Sequence, residues 1–272
     1  MKSVSITGAA GFLGSHLTAH LKTRDVTVLP VSRRQLSGMH HVEDYSETPG
    51  KDVLIHLAEE SDRVKVNSLG ESYLKNSARV VKVLSERFPR IIYASSGVVY
   101  GGKNESSCKV GMPVFGSDIY SRSKIMNEQI VLEAGGCVAR LSNLFGIGMS
   151  ANNVLSVIID QVPGVGPLRV RDDTPIRDFL SVSDSCSALG RMVDENFNGI
   201  VNVGSGVGIS INNLAKQILS LADEENREVV ATSPSKERSE IVLDISETLE
   251  NIGWAPSSNL KNQLEQLMAI EH

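Results

Sequence analysis

Short apolar, β-branched runs alternate along this chain with longer stretches whose apolar residues recur every three or four positions. Residues 2–6 read as a strand, and Leu17 and Leu21 set a helix behind it. Residues 26–29, Val-Thr-Val-Leu, follow at the distance of a βαβ unit, and residues 41–45 read as a short third strand. Residues 52–58 are apolar and continuous, as a strand buried on both faces should be. Leu74, Ala78, Val81 and Leu84 place an amphipathic helix over 72–87, closed by Pro89. Residues 91–94 make the next strand. A helix begins at Tyr120 and runs through Ile125, Ile130, Val131 and Leu132, and residues 138–141 are another strand. A loop over 146–153, a helix over 154–162 and a stretch rich in Pro, Gly and charge over 163–175 mark an excursion from the sheet. The alternation resumes with a strand at 200–204 and a helix at 211–222. This order predicts an α/β fold, a doubly wound (Rossmann), mostly parallel sheet with helices on both faces.

Three glycines, Gly8, Gly11 and Gly14, occupy the turn between the first strand and the first helix. They let the backbone turn tightly and lie close to a pyrophosphate, while the free amides of the new helix point at it. The Gly-x-x-Gly-x-x-Gly spacing is one residue wider than the commoner fingerprint, and its place directly after a strand is the context the motif requires. The second strand ends in Ser32, Arg33 and Arg34, and no Asp or Glu lies between Asp25 and Glu43. That strand end meets the adenine ribose in cofactor-binding folds, where an acid grips the 2′-hydroxyl and an arginine accommodates a 2′-phosphate. The expected cofactor is NAD(P), with NADP slightly favoured. His56, inside an apolar run, reads as a satisfied core histidine rather than a catalytic one.

Ser95, Ser96 and Gly97 follow the 91–94 strand at its carboxyl end, where open α/β sheets place ligands. Tyr120 and Lys124 are four apart at a helix start and share one face. A phenol titrates near ~10 and is a poor base at neutral pH. A nearby ammonium and an oxidised nicotinamide both favour the phenolate. Such a pair exchanges a proton with an alcohol or ketone while hydride moves to or from the nicotinamide, and the Ser96 hydroxyl could hold the same oxygen. The Tyr-x-x-x-Lys spacing is cheap alone. Its weight comes from order: glycine corner, serine at a later strand end, then Tyr and Lys.

Composition narrows the partners. With 272 residues the chain can bury a large core, as one large domain or a domain with a lobe. Its 27 basic and 32 acidic residues give a net charge of −5, which argues against general nucleic-acid binding but leaves room for basic phosphate pockets. Cys108, Cys137 and Cys186 are odd in number and widely spaced, which suggests a reducing compartment and no zinc cage. No basic-then-apolar leader precedes residue 3, and no apolar run reaches about 18 residues. The expectation is a soluble cytoplasmic protein that binds neither nucleic acid nor membrane and holds no metal.

The chain resembles the extended short-chain dehydrogenase/reductases, the nucleotide-sugar epimerase/dehydratase family. The matching stretches are residues 7–14, 55–58, 95–101, 120–124, 140–146, 177–182, 202–206 and 252–254, and they cover most of its length. The resemblance implies that Gly8, Gly11, Phe12, Leu13 and Gly14 line the pyrophosphate. It places Asp44 and Tyr45 by the adenine, and Leu57 and Ala58 on the ribose or nicotinamide side. Tyr120 becomes the acid/base, and Lys124 holds the nicotinamide ribose and tunes the tyrosine. Ser96 binds the sugar oxygen, Asn143 the sugar nucleotide and Arg177 its diphosphate. Arg238 matches a second diphosphate clamp with compressed spacing to Asp244, against the alternative of an exposed charge. Asn76 matches a family asparagine and reads as structural.

Two departures stand out. Where the family often has a second alanine after His-Leu-Ala, this chain has Glu59 and Glu60, which reads as a changed substrate or an outward-facing side chain. After Ser96 the family dehydratases carry an Asp-Glu pair; Gly97 and Val98 here transfer no protons, which rules against a 4,6-dehydratase. The chain is also shorter than typical members. The expected division is residues 1–142 with 176–206 as the NAD(P)-binding domain and 143–175 with 207–272 as a small substrate lobe. The implied activity is that of a nucleotide-sugar 4-ketoreductase or 4-epimerase, with a non-catalytic NAD(P) sensor or scaffold as the rival. The family also suggests a homodimer, with 72–87 and 124–134 as candidate helices.

Overall fold

The computed structural model describes residues 2–104, 106–257 and 259–271. Strand β1 (Lys2–Thr7) runs into helix α1 (Phe12–Lys22), β2 (Val26–Ser32) and a two-residue β3 (His40–His41). Next come β4 (Val53–His56), α2 (Arg63–Leu69), α3 (Glu71–Arg87), β5 (Ile91–Ser96), α4 (Ile119–Glu133) and β6 (Cys137–Leu141). The chain then leaves the sheet through β7 (Asn143–Phe145), α5 (Val154–Ile159), β8 (Leu168–Val170) and β9 (Ile176–Ser181). It returns by α6 (Val182–Asp194) and β10 (Gly199–Val203), and closes with β11 (Gly208–Ser210), α7 (Ile211–Leu221), β12 (Val229–Ala231), β13 (Glu240–Ile241), α8 (Ser246–Ile252) and α9 (Leu260–Glu271).

Seven strands form one sheet in the order β10-β6-β5-β4-β1-β2-β3. Every pairing in it is parallel. The period of two along a strand divides its side chains between the faces. Val53 and Ile55 pack with α1 and α6, whereas Leu54 joins α3 and α4 on the opposite face. Full burial of such an aliphatic side chain contributes about 2 kcal/mol. Trp254, the chain's one tryptophan, lies buried in the α1/α6 core.

The smaller lobe has its own core, built from α5, α7, α9 and β8 with Phe145 and Phe179. Its sheet centres on β9, which pairs antiparallel with β11 and parallel with β13 and β7. Residues 176–181 therefore hydrogen-bond to strands outside the seven-stranded sheet. The strand read over 41–45 is shorter than expected. Asp44 accepts a hydrogen bond from the Ser46 amide (2.8 Å) and turns residues 45–47 into a 3₁₀ helix. No helix among the described residues is long and apolar enough to cross a membrane, and they contain no group of three His, Cys, Asp or Glu fit to hold a metal.

Candidate active site

The glycine corner lies where strand order reverses, between β1 and β4, the place where open α/β sheets open a crevice. Gly8 has φ +73° and a Cβ there would lie 3.0 Å from the Ala58 backbone. A Cβ on Gly14 would lie 2.2 Å from the Gly8 carbonyl oxygen, so Gly14 serves the packing of α1 against the turn. Gly11 caps α1 without a side-chain hydrogen bond, and the first turn holds no acid. The amides and positive end of α1 are thus left for an anion. They open on a cleft of about 830 Å³ lined by Gly8, Gly11, Leu57 and Ala58. Phe12 and Leu13 are half-buried against the α1/α6 core and outside that lining.

At the far end of this cleft are Ser32, Arg33, Arg34, Asp44 and Tyr45. The Ser32 hydroxyl accepts from the Arg34 amide (2.9 Å), and the Arg33 guanidinium lies 5.3 Å from the Tyr45 ring centre. Arg79 donates to Asp44 at 2.5 Å. Burial opposes ionisation of Asp44, but Ser46 and Arg79 hold its carboxyl below the usual range. Asn76 lines the same cleft and accepts from Arg79 at 3.1 Å. His56 is buried, with Nδ1 2.8 Å from the Thr7 hydroxyl. Burial pushes its imidazole down to about 4, so it is neutral at physiological pH.

Glu59 points inward, which corrects the outward-facing reading. Its Oε2 accepts from Lys124 Nζ (2.5 Å) and the Tyr93 hydroxyl (2.7 Å). Its Oε1 accepts from Ser77 (2.7 Å) and Asn127 (2.6 Å). Four donors outweigh the cost of burying a carboxylate. Burial raises its pKa, but Lys124 reverses this and the net shift is downward. Burial likewise works against the Lys124 ammonium, yet Glu59 holds it well above the ordinary lysine range. Lys124 also donates to the Ala94 carbonyl (2.9 Å) and sits 5.8 Å from the Tyr120 ring centre.

Tyr120, Ser96, Asn143 and Arg177 come together in a second cleft of about 430 Å³. The capping Asp118 holds the first turn of α4, and with it Tyr120, while Ser96 ends β5 and accepts from the Val98 amide. Arg177 spends its hydrogen bonds on neutral oxygens: the Ile176 and Ser239 carbonyls (2.8 and 2.9 Å) and the Ser239 hydroxyl (2.7 Å). Burial and the nearby charge of Arg63 push its pKa down, so an anion would be welcome there. Asn143 donates to the Asp178 carbonyl at 3.1 Å. Arg238 lies outside this lining, exposed and 2.5 Å from Glu240. Its neighbour Ser239 faces the cleft instead, as does Arg63 of α2, whose Nε lies 2.5 Å from Asp118. No pattern in the sequence singles out Arg63 or Ser239.

A parallel doubly wound sheet, with a glycine corner at its switch point and a Tyr–Lys pair beside a second cleft, defines a dinucleotide-binding fold. A family model described as the NAD dependent epimerase/dehydratase family matches residues 4–204, and the chain belongs to that family. Among its relatives, a UDP-glucose 4-epimerase of Bacillus subtilis is 23% identical over 325 residues, covering 98% of this chain and 95% of that one. A GDP-6-deoxy-D-mannose reductase of Pseudomonas aeruginosa is 27% identical over 296 residues, covering 97% and 95%. The solved UDP-glucose 4-epimerase of Thermotoga maritima with UDP-glucose superposes with a TM-score of 0.87 at 20% identity, covering 98% and 97%. RMD from Pseudomonas aeruginosa complexed with NADPH gives 0.85 at 25% identity, covering 99% and 98%.

Proposed function

We propose that this chain is an NAD(P)-dependent oxidoreductase of a nucleotide-activated sugar, of the 4-ketoreductase or 4-epimerase type. One observation carries the reading. Lys124 joins the two clefts, bonded to Glu59 on the wall of the first and beside Tyr120 on the wall of the second. The first cleft suits a dinucleotide: a glycine cradle that a Cβ would fill, an uncapped helix end, and arginines where a 2′-phosphate would lie. Asp44, the carboxylate that lines the same end of the cleft as those arginines, is already engaged by Arg79, which supports NADP over NAD.

An NAD(P) cofactor bound there would supply hydride exchange with the sugar carbon. The chain's own groups do the rest. Tyr120 exchanges a proton with the oxygen on that carbon, and Ser96 donates a hydrogen bond to the same oxygen. Arg177 takes the diphosphate and Asn143 the sugar nucleotide, which fixes the reacting carbon against Tyr120. Gly97 and Val98 supply no acid or base for water elimination, and a Cβ at Gly97 would come 3.0 Å from the Leu243 side chain, which would have to shift to admit it.

The test is a screen of UDP-, dTDP-, GDP- and CDP-sugars and their 4-keto forms with both cofactors, followed by Tyr120→Phe. Turnover should fall by about a hundredfold or more, with cofactor affinity retained. Undiminished turnover in that variant would remove the acid/base assignment.

A further inference from the structure

A lysine beside a nicotinamide normally brings a full positive charge to the site. Here that charge meets Glu59. All four acceptor positions of the buried carboxylate are filled, by Lys124 and Tyr93 on one oxygen and by Ser77 and Asn127 on the other. No position is left for a cofactor or sugar hydroxyl, so Glu59 acts through Lys124 rather than on a ligand. Its side chain is 7% exposed, and its open edge lines the proposed cofactor cleft.

We infer that Glu59 is a built-in counter-ion. It positions Lys124 and cancels its charge, so that the site favours the oxidised, cationic form of the nicotinamide more than a lone lysine would allow. The inference rests on the functional reading above. The other titratable groups around the pair are His56 of β4, Tyr73 of α3, Tyr93 of β5 and Tyr120 of α4, none of them anionic at neutral pH in their usual forms. Glu59 is therefore the negative charge that meets the lysine. Removing it turns a neutral pair into a net positive site next to the ring. One unit charge about 12 Å away, at an effective dielectric constant of about 20, is worth about a tenfold change in the affinity ratio of a cationic over a neutral ligand.

The experiment compares dissociation constants of oxidised and reduced cofactor, by fluorescence of the reduced form and competition, for wild type, Glu59→Gln, Glu59→Asp and Lys124→Gln. In Glu59→Gln the oxidised form should lose about tenfold relative to the reduced form. Glu59→Asp keeps the charge and should restore the ratio. Lys124→Gln leaves the carboxylate unpaired and should tip the ratio the opposite way, so the test survives if Glu59→Gln fails to fold. An affinity ratio unmoved in both neutralising variants, or moved in the reverse sense, overturns the inference. A wild-type protein that binds neither cofactor form would instead overturn the functional reading itself.

Discussion

His56 and Glu59 stand three residues apart at one strand end, and burial presses both towards neutrality with opposite outcomes. The carboxylate is kept ionised by its donors, while the imidazole, bonded to Thr7, is kept neutral down to about pH 4. An unfolded histidine takes a proton below its ordinary value of 6.5. Neutral His56 therefore contributes stability that is complete above that value and lost as pH falls towards 4, by about 3 kcal/mol at most. Denaturant unfolding at pH 7.5 and 4.5 should show a larger loss for wild type than for His56→Gln; equal losses would clear the histidine. Its core role was legible, because it interrupts an apolar run without a companion polar residue. The role of Glu59 was not. Its donors Ser77, Tyr93, Lys124 and Asn127 lie 18, 34, 65 and 68 residues away, and no local pattern links them.

Among the elements, α4 matters most to the chemistry, because its first turn carries Tyr120. Asp118 caps that turn, accepting from the Ser121 amide (2.8 Å), while the Ser121 hydroxyl accepts from the Asp118 amide (3.1 Å). Arg63 and Asn67 of α2 brace the same carboxylate. Asp118→Ala should cost about 1 kcal/mol of stability and lower turnover through a frayed Tyr120, with cofactor affinity unchanged. Burial opposes ionisation of this carboxyl, but the cap and its braces hold it to about 2. The stability gap between variant and wild type is thus present above the ordinary carboxylate value and closes as pH falls towards 2. Melting temperatures across that range check it. Long helices were the easiest elements to read: the 72–87 spacing matches α3 within one residue, because its buried stripe repeats over several turns. Strands such as β7, β11 and β12 hold three residues each, too few for any period to show.

For the molecule as a whole, the parallel sheet followed from alternation, but the ties between its two halves did not. Asn202, buried near the end of β10, is one such tie. It donates to the Cys108 and Asp244 carbonyls (2.7 and 3.0 Å) and accepts from the Tyr100 hydroxyl (2.8 Å). Asn202→Ala removes all three bonds, although the Cys108 carbonyl keeps the Asp244 amide and the Tyr100 hydroxyl keeps Arg140, and should cost about 2 kcal/mol in chemical unfolding. Affinity for reduced cofactor should persist, since the first cleft draws nothing from Asn202. Trp254 adds a practical consequence. As the one indole, packed in the α1/α6 core with no hydrogen-bond partner for its N–H among the described residues, it makes tryptophan emission a single-address signal. Its emission colour reports whether that core is wet or dry and is silent about the lobe around Phe145 and Phe179, where a separate spectroscopic handle must be installed.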